Sequence, residues 1–219
     1  TLDDGKANVF SNAVLETLER LVDQAEADGA RALVLVGRPG RFSAGFDLGE
    51  MTSGVDQMRA LVSRGARWWL RVYGLGMPTV AACTGHALAG GAITLLSCDV
   101  RIGADGPAKV GLNEVSIGMP LPKFAVELAR ERLAKSHFSL AILGATYDPA
   151  GAATAGYLDR VVPADQVVGE AMAEARRLGE LRTGAVARTK TNARQATIDA
   201  LAAGLDADMA TIDAPTPPG

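Results

Sequence analysis

Two stretches of the chain, Ala32-Leu33-Val34-Leu35-Val36 and Thr79-Val80-Ala81-Ala82-Cys83, run through five residues without a charge. A strand with one wet face alternates apolar and polar residues. A short continuous apolar run instead suits a strand covered on both faces, as in a helix-flanked parallel sheet. Parallel neighbours cannot be joined by a tight hairpin and need a crossover, usually helical. The sequence supplies such crossovers. Ser11 can cap a helix whose face is Val14, Leu15, Leu18, Leu21, Val22 and Ala25, ended by Gly29. Residues 55–75 read as a second helix carrying Trp68 and Trp69, stopped by Pro78. Gly90 to Ser97 reads as a short buried helix before a third strand, Asp99-Val100-Arg101-Ile102. The alternation predicts an α/β fold with right-handed crossovers.

Beyond this point, Pro120 and Pro122 precede a helix over 124–133, and Asp148-Pro149 opens another that ends near Gly156. A late strand lies within Tyr157-Leu158-Asp159-Arg160-Val161-Val162, followed by alanine-rich helices over 164–181 and 185–203. Thr1 to Gly5 reads as the end of a strand entering a turn, and Gly37-Arg38-Pro39-Gly40 as a turn. The expected division is a core over 1–163, a helical region over 164–213 and a proline-rich tail over 214–219, disordered by composition.

Several functions are disfavoured by composition and motif. The 219 residues carry a formal charge of −3 and only 5% aromatics, so neither a phosphate-neutralising surface nor a base-stacking platform is expected. No apolar run approaches the ~18 residues of a membrane span, and the cytoplasm is the default location. Cys83 and Cys98 each sit in an apolar run and read as buried hydrophobes rather than a disulfide or metal framework. Gly85 and Gly90 have phosphate-loop spacing, but Gly91-Ala92 stand where Lys and Ser/Thr are required. Gly74-Leu75-Gly76 lacks the third glycine of a dinucleotide turn. Two histidines, His86 and His137, leave little material for a Ser–His–Asp machine.

What remains is a pair of small-residue segments, Ser43-Ala44-Gly45-Phe46-Asp47 and Ala87-Leu88-Ala89-Gly90-Gly91. Each follows a strand and leads into a loop or helix. Small residues let a backbone approach a ligand closely, and a helix start leaves N–H groups unpartnered. Two such N–H groups aimed at one oxygen make an oxyanion hole. From spacing alone, tight turns with close helix packing explain the same glycines equally well.

These residues resemble the crotonases, the enoyl-CoA hydratase/isomerase superfamily. The resemblance covers residues 5–163 and rests on Asn8, Arg41-Phe42-Ser43-Ala44-Gly45-Phe46-Asp47-Leu48 and Gly85-His86-Ala87-Leu88-Ala89-Gly90-Gly91. It continues through Cys98-Asp99-Val100-Arg101-Ile102, Gly111-Leu112-Asn113-Glu114-Val115-Ser116-Ile117-Gly118 and Ala155-Gly156-Tyr157-Leu158-Asp159-Arg160-Val161-Val162. It implies a spiral of ββα turns closed by C-terminal helices that mediate trimers or dimers of trimers. It also implies an acyl-CoA thioester as substrate, with coenzyme A entering as part of that substrate and no metal or other cofactor. By position the oxyanion donors are the N–H groups of Phe46 and Gly90, with Ala44, Asp47, Gly91 and Ile93 around the substrate. Lys6, Arg38 and Arg41 are candidates to meet the coenzyme A phosphates.

Hydratases of this superfamily use two glutamates. The later one is present as Glu114, whereas three residues after Gly90 stands Ile93. Syn addition of water is easiest with two carboxylates, one as base and one as acid. A lone carboxylate suits a double-bond shift, taking a proton from one carbon and returning it to another. The expectation is therefore an acyl-CoA enzyme nearer an isomerase than a hydratase. Thioester hydrolysis on the same scaffold, or acyl-CoA binding without turnover, are the alternatives. A second departure is Met119-Pro120-Leu121-Pro122, where the superfamily often has a glycine-rich turn; two prolines remove two N–H donors.

Overall fold

The computed structural model describes residues 1–212. The expected tail over 214–219 and the last residue of the helical region lie outside the described residues. Three parallel sheets are present among them. β1 (Val9–Phe10) pairs with β4 (Gly45–Phe46). β2 (Leu33–Val36), β5 (Thr79–Cys83), β7 (Val100–Ala104) and β9 (Arg160–Val162) form a four-stranded sheet in that order. β3 (Gly40–Ser43), β6 (Gly85–Leu88) and β8 (Val110–Gly111) form a third.

The helices are α1 (Asn12–Ala27), α2 (Leu48–Met51), α3 (Val55–Gly74), α4 (Gly90–Ser97) and α5 (Lys123–Arg132). They continue with α6 (Lys135–Ile142), α7 (Pro149–Ala155), α8 (Val167–Gly179) and α9 (Thr183–Ala210). Each inner strand hands the chain to the three-stranded sheet before a helix returns it: β2 to β3, β5 to β6, β7 to β8. The result is a spiral of ββα turns. β5, whose five residues are all buried, lies between β2 and β7.

The three long strands and α1, α3, α4 and α5 fall where the sequence places them, within one or two residues. The outer strands do not follow from composition. Gly40-Arg41-Phe42-Ser43 opens on two exposed residues and alternates poorly, so β3 reads as the end of a turn. It is a strand because β6 pairs with it, and a Cβ on Gly85 would lie 2.0 Å from Gly40 C. Only glycine allows that backbone approach. Thr1 to Gly5 carries no strand, although Leu2 N donates to Val36 O at 2.7 Å. α6 was not expected, and α9 runs longer at both ends than its alanine pattern indicates.

The core gathers on α3 and α4. Trp69 stacks on Phe124 at 5.8 Å and meets Phe10 and Phe46 edge-on at 5.5 and 5.3 Å. Burying each such ring contributes about 1.5–3 kcal/mol. α9 is bolted to this core by charge. Asp99 receives Lys190 Nζ and Arg194 Nη1, each at 2.7 Å, and Arg194 also donates to Tyr73 O.

Candidate active site

The first small-residue segment leaves β3 at Ser43 and re-enters regular structure as β4. Gly45 holds φ +93°, a conformation an L side chain rarely adopts. Asp47 N donates to Phe10 O at 3.1 Å. Successive N–H groups on a strand point to opposite sides, so the Phe46 N–H projects away from β1. Asp47 itself caps α2, its carboxylate accepting from Glu50 N at 2.9 Å.

The second segment ends β6 at Leu88. Ala89 N donates to Gly111 O, and Ala89 turns the chain into α4 with φ 49°. Ile93 N closes on Ala89 O at 3.0 Å as the first intrahelical bond. The N–H of Gly90 therefore lies in the first helical turn, where backbone donors have no intrahelical acceptor. Helix starts also concentrate positive partial charge.

The two segments are in contact. A Cβ on Gly45 would fall 2.9 Å from Ala89 Cβ and 3.1 Å from Gly90 N, and one on Gly91 would fall 2.3 Å from Ser43 O. These glycines are the condition for bringing the two backbones together. Behind them, a Cβ on Gly90 would strike the Trp69 ring at 2.9 Å.

Beside this junction lies an apolar cavity of about 70 Å³. Ala44, Phe46, Ala89, Ile93 and Glu114 line it together with Met51, Val62, Phe124 and Ile212. Leu48 and Ile117, 71% and 48% exposed, mark its mouth, while Ile93, Phe124 and Ile212 are buried. Glu114 follows β8 and starts a single 3₁₀ turn over Val115–Ile117. The side chain is buried and its Oε2 has no hydrogen-bond partner. Burial pushes its pKa up to about 7, against a smaller downward pull from its own backbone N–H. Among the described residues it is the one carboxylate lining the cavity.

Lys6, Arg38 and Arg41 line a different and more open groove of about 670 Å³, shared with His86. Arg38 donates to Lys6 O at 2.7 Å, and Arg41 pairs in register with His86 across β3 and β6. His86 Nδ1 accepts from Lys109 N at 3.1 Å, and its pKa is lowered by burial and then by Arg41 and Lys109. The structure thus brings Phe46, Ala44, Ile93 and Glu114 to one cavity and the three cations to another. Gly90, Asp47 and Gly91 line neither; Gly90 opens α4 against Gly45 and the Trp69 ring, Asp47 caps a helix, and Gly91 permits backbone contact.

The sequence reading did not pick out Met51, Val62, Phe124 and Ile212 as cavity walls, nor the support behind Gly90. Thr94, four residues on, is legible as a hydroxyl able to reach the Gly90 carbonyl, which it does at 2.8 Å. Nothing in the sequence pairs Ile212 with residues 150 positions earlier. No helix among the described residues is long and apolar enough to cross a membrane.

The model of the enoyl-CoA hydratase/isomerase family matches residues 1–216. A solved enoyl-CoA hydratase/isomerase family protein from Pseudomonas syringae is 39% identical, with a TM-score of 0.93 over 96% of this chain and 91% of its own. Human mitochondrial delta3-delta2-enoyl-CoA isomerase is 32% identical, with a TM-score of 0.84 over 93% of this chain and 81% of its own. A putative enoyl-CoA hydratase of Thermus thermophilus is 34% identical over 81% of this chain and 70% of its own length. With the ββα spiral and the abutting glycine segments, these similarities place the chain in the enoyl-CoA hydratase/isomerase family.

Proposed function

We propose that this enzyme shifts the double bond of an enoyl-CoA thioester from the 3- to the 2-position. The observation that carries the reading is the solitude of Glu114 among the described residues: one buried carboxylate in an apolar cavity, with Ile93 where a second would stand. In this scheme the thioester oxygen sits between the N–H groups of Phe46 and Gly90. Glu114 takes a proton from C2, and the charge spreads from the thioester oxygen to C4 as a dienolate. The same carboxyl group returns the proton to C4, leaving the double bond conjugated with the carbonyl. Each oxyanion donor contributes about 3–4 kcal/mol to such a transition state. A pKa near 7 suits a group that must both accept and release a proton at neutral pH.

Ile93 supports isomerisation over hydration, because an aliphatic side chain neither holds water nor exchanges a proton. The human isomerase among the similar structures agrees with this reading, while the Thermus protein is named as a hydratase. Lys6, Arg38 and Arg41 are assigned to the coenzyme A phosphates, and no metal takes part. The test is a panel of 3-enoyl-, 2-enoyl- and saturated acyl-CoA thioesters. Conversion of the 3-enoyl substrate without net hydration of the 2-enoyl one is expected. Hydration at a comparable rate, or hydrolysis of the saturated thioester, overturns the assignment.

A further inference from the structure

Ile212 lines the cavity from beyond the end of α9, two residues past the last helical position. It is 4% exposed, whereas Leu48 and Ile117 at the mouth are largely open, so Ile212 belongs to the closed end. One side chain of α3 holds it there. Arg59 donates Nε to Ile212 O at 2.9 Å and Nη2 to Ala210 O at 3.0 Å. The last carbonyls of a helix have no intrahelical donors and carry negative partial charge, and a guanidinium fork can satisfy two at once. One turn further along α3, Val62 forms part of the same cavity wall. The guanidinium therefore joins a fixed wall of the cavity to a segment outside regular structure.

We propose that Arg59 is a positioning residue that sets the length of acyl chain the enzyme accepts, by pinning Ile212 across the closed end of the cavity. This rests on the acyl-CoA reading above and names the substrate class within it: short-chain thioesters. A cavity of about 70 Å³ leaves room for only a few methylenes, and its other buried apolar walls, Met51, Val62, Ile93 and Phe124, lie inside helices. Ile212 is the buried apolar wall that can move without unfolding a helix; Met119, Pro120 and Pro122, also outside helices, are only partly buried or exposed.

The experiment measures binding of butanoyl-, octanoyl- and dodecanoyl-CoA by calorimetry, which needs no turnover. The wild type is expected to gain nothing from the longer chains. Arg59→Met is expected to raise octanoyl affinity relative to butanoyl by about tenfold, the value of one to two further buried methylenes. Ile212→Ala should shift the same ratio, and the double variant should add little, because both changes open one wall. Arg59→Lys, which cannot reproduce the fork, should fall between Met and wild type. An unchanged ratio in Arg59→Met beside a changed one in Ile212→Ala overturns the pinning role. Should Arg59→Met fold poorly, truncation after Thr211 removes Ile212 with Arg59 intact, and an unchanged ratio there overturns the proposal equally. Failure of every thioester to bind the wild type sinks the acyl-CoA reading itself, and the pinning role with it.

Discussion

Trp69 donates its indole N–H to Thr94 Oγ1 at 2.9 Å, and the Thr94 hydroxyl passes that hydrogen bond on to Gly90 O at 2.8 Å. The start of α4 is thereby tied to the aromatic cluster on α3. Thr94→Val keeps the volume and removes the relay, leaving the buried Trp69 Nε1 without an acceptor. The expected cost is about 1–3 kcal/mol in a denaturant melt. If Gly90 N acts on the transition state, kcat should fall more than KM rises; a change in KM alone would assign the relay to substrate binding.

Gly45→Ala tests the junction of the two segments. The new methyl group meets Ala89 Cβ at 2.9 Å in a backbone held at φ +93°. Strain of this kind costs on the order of 1–3 kcal/mol. It also pushes the two backbones apart. Turnover should drop by about a hundredfold while the far-UV spectrum stays native, since misplacement by about 1 Å is enough for such a loss.

Glu114→Gln separates catalysis from stability. A carboxyl group raised from 4.5 to about 7 binds its proton more tightly when folded. Its stabilising contribution is complete below pH 4.5 and is lost as pH rises through about 7, a loss of about 3 kcal/mol. The Gln variant, with no charge to bury, should therefore melt higher than wild type at pH 8 and about equally at pH 4. On the proposed mechanism, turnover of the 3-enoyl thioester should vanish. In the wild type, kcat/KM should fall as pH drops below about 7, because the proposed base acts as the carboxylate.

Ile93→Glu restores a second carboxylate three residues after Gly90. Ile93 is 2% exposed, so the variant buries an ionisable group and should lose several kcal/mol of stability. Measurable hydration of a 2-enoyl thioester is the expected gain. A folded variant that binds substrate but adds no water would show that position 93 does not decide between the two reactions.

Asp99→Asn probes the attachment of α9. Burial raises the Asp99 pKa, but Lys190 and Arg194 outweigh it and hold the group below its usual 3.8. The stabilisation is therefore present above pH 3.8 and lost as pH falls below it. Removing the charge leaves two cations facing one another, at a cost of about 3–5 kcal/mol. Thermal melts of the variant at pH 7 check this.

Legibility in the sequence follows how local the cause is. β2 and β5 are readable because both faces of each strand are covered, which writes an unbroken apolar run. α1 is readable because Ser11 caps it and accepts from Val14 N at 3.2 Å. β3 and β4 owe their existence to partners more than 30 residues away, and Gly40-Arg41-Phe42-Ser43 carries no local trace of that pairing. The same division runs through the site. Phe46, Gly90, Glu114 and Ile93 stand in motifs of recognisable order, so resemblance names them as candidates. Ile212 and Arg59 are 153 positions apart and meet only through the docking of α9.

The glycine junction has an evolutionary consequence. Main-chain N–H groups are the same beside every side chain except proline's, so once Gly45 and Gly90 bring the segments together, most substitutions around the cavity leave the proposed donors in place. Glu114 and Ile93 enjoy no such protection; one codon changes either. On the proposed mechanism, a lineage built on this scaffold can exchange one reaction for another while the proposed grip on the reacting carbonyl is inherited.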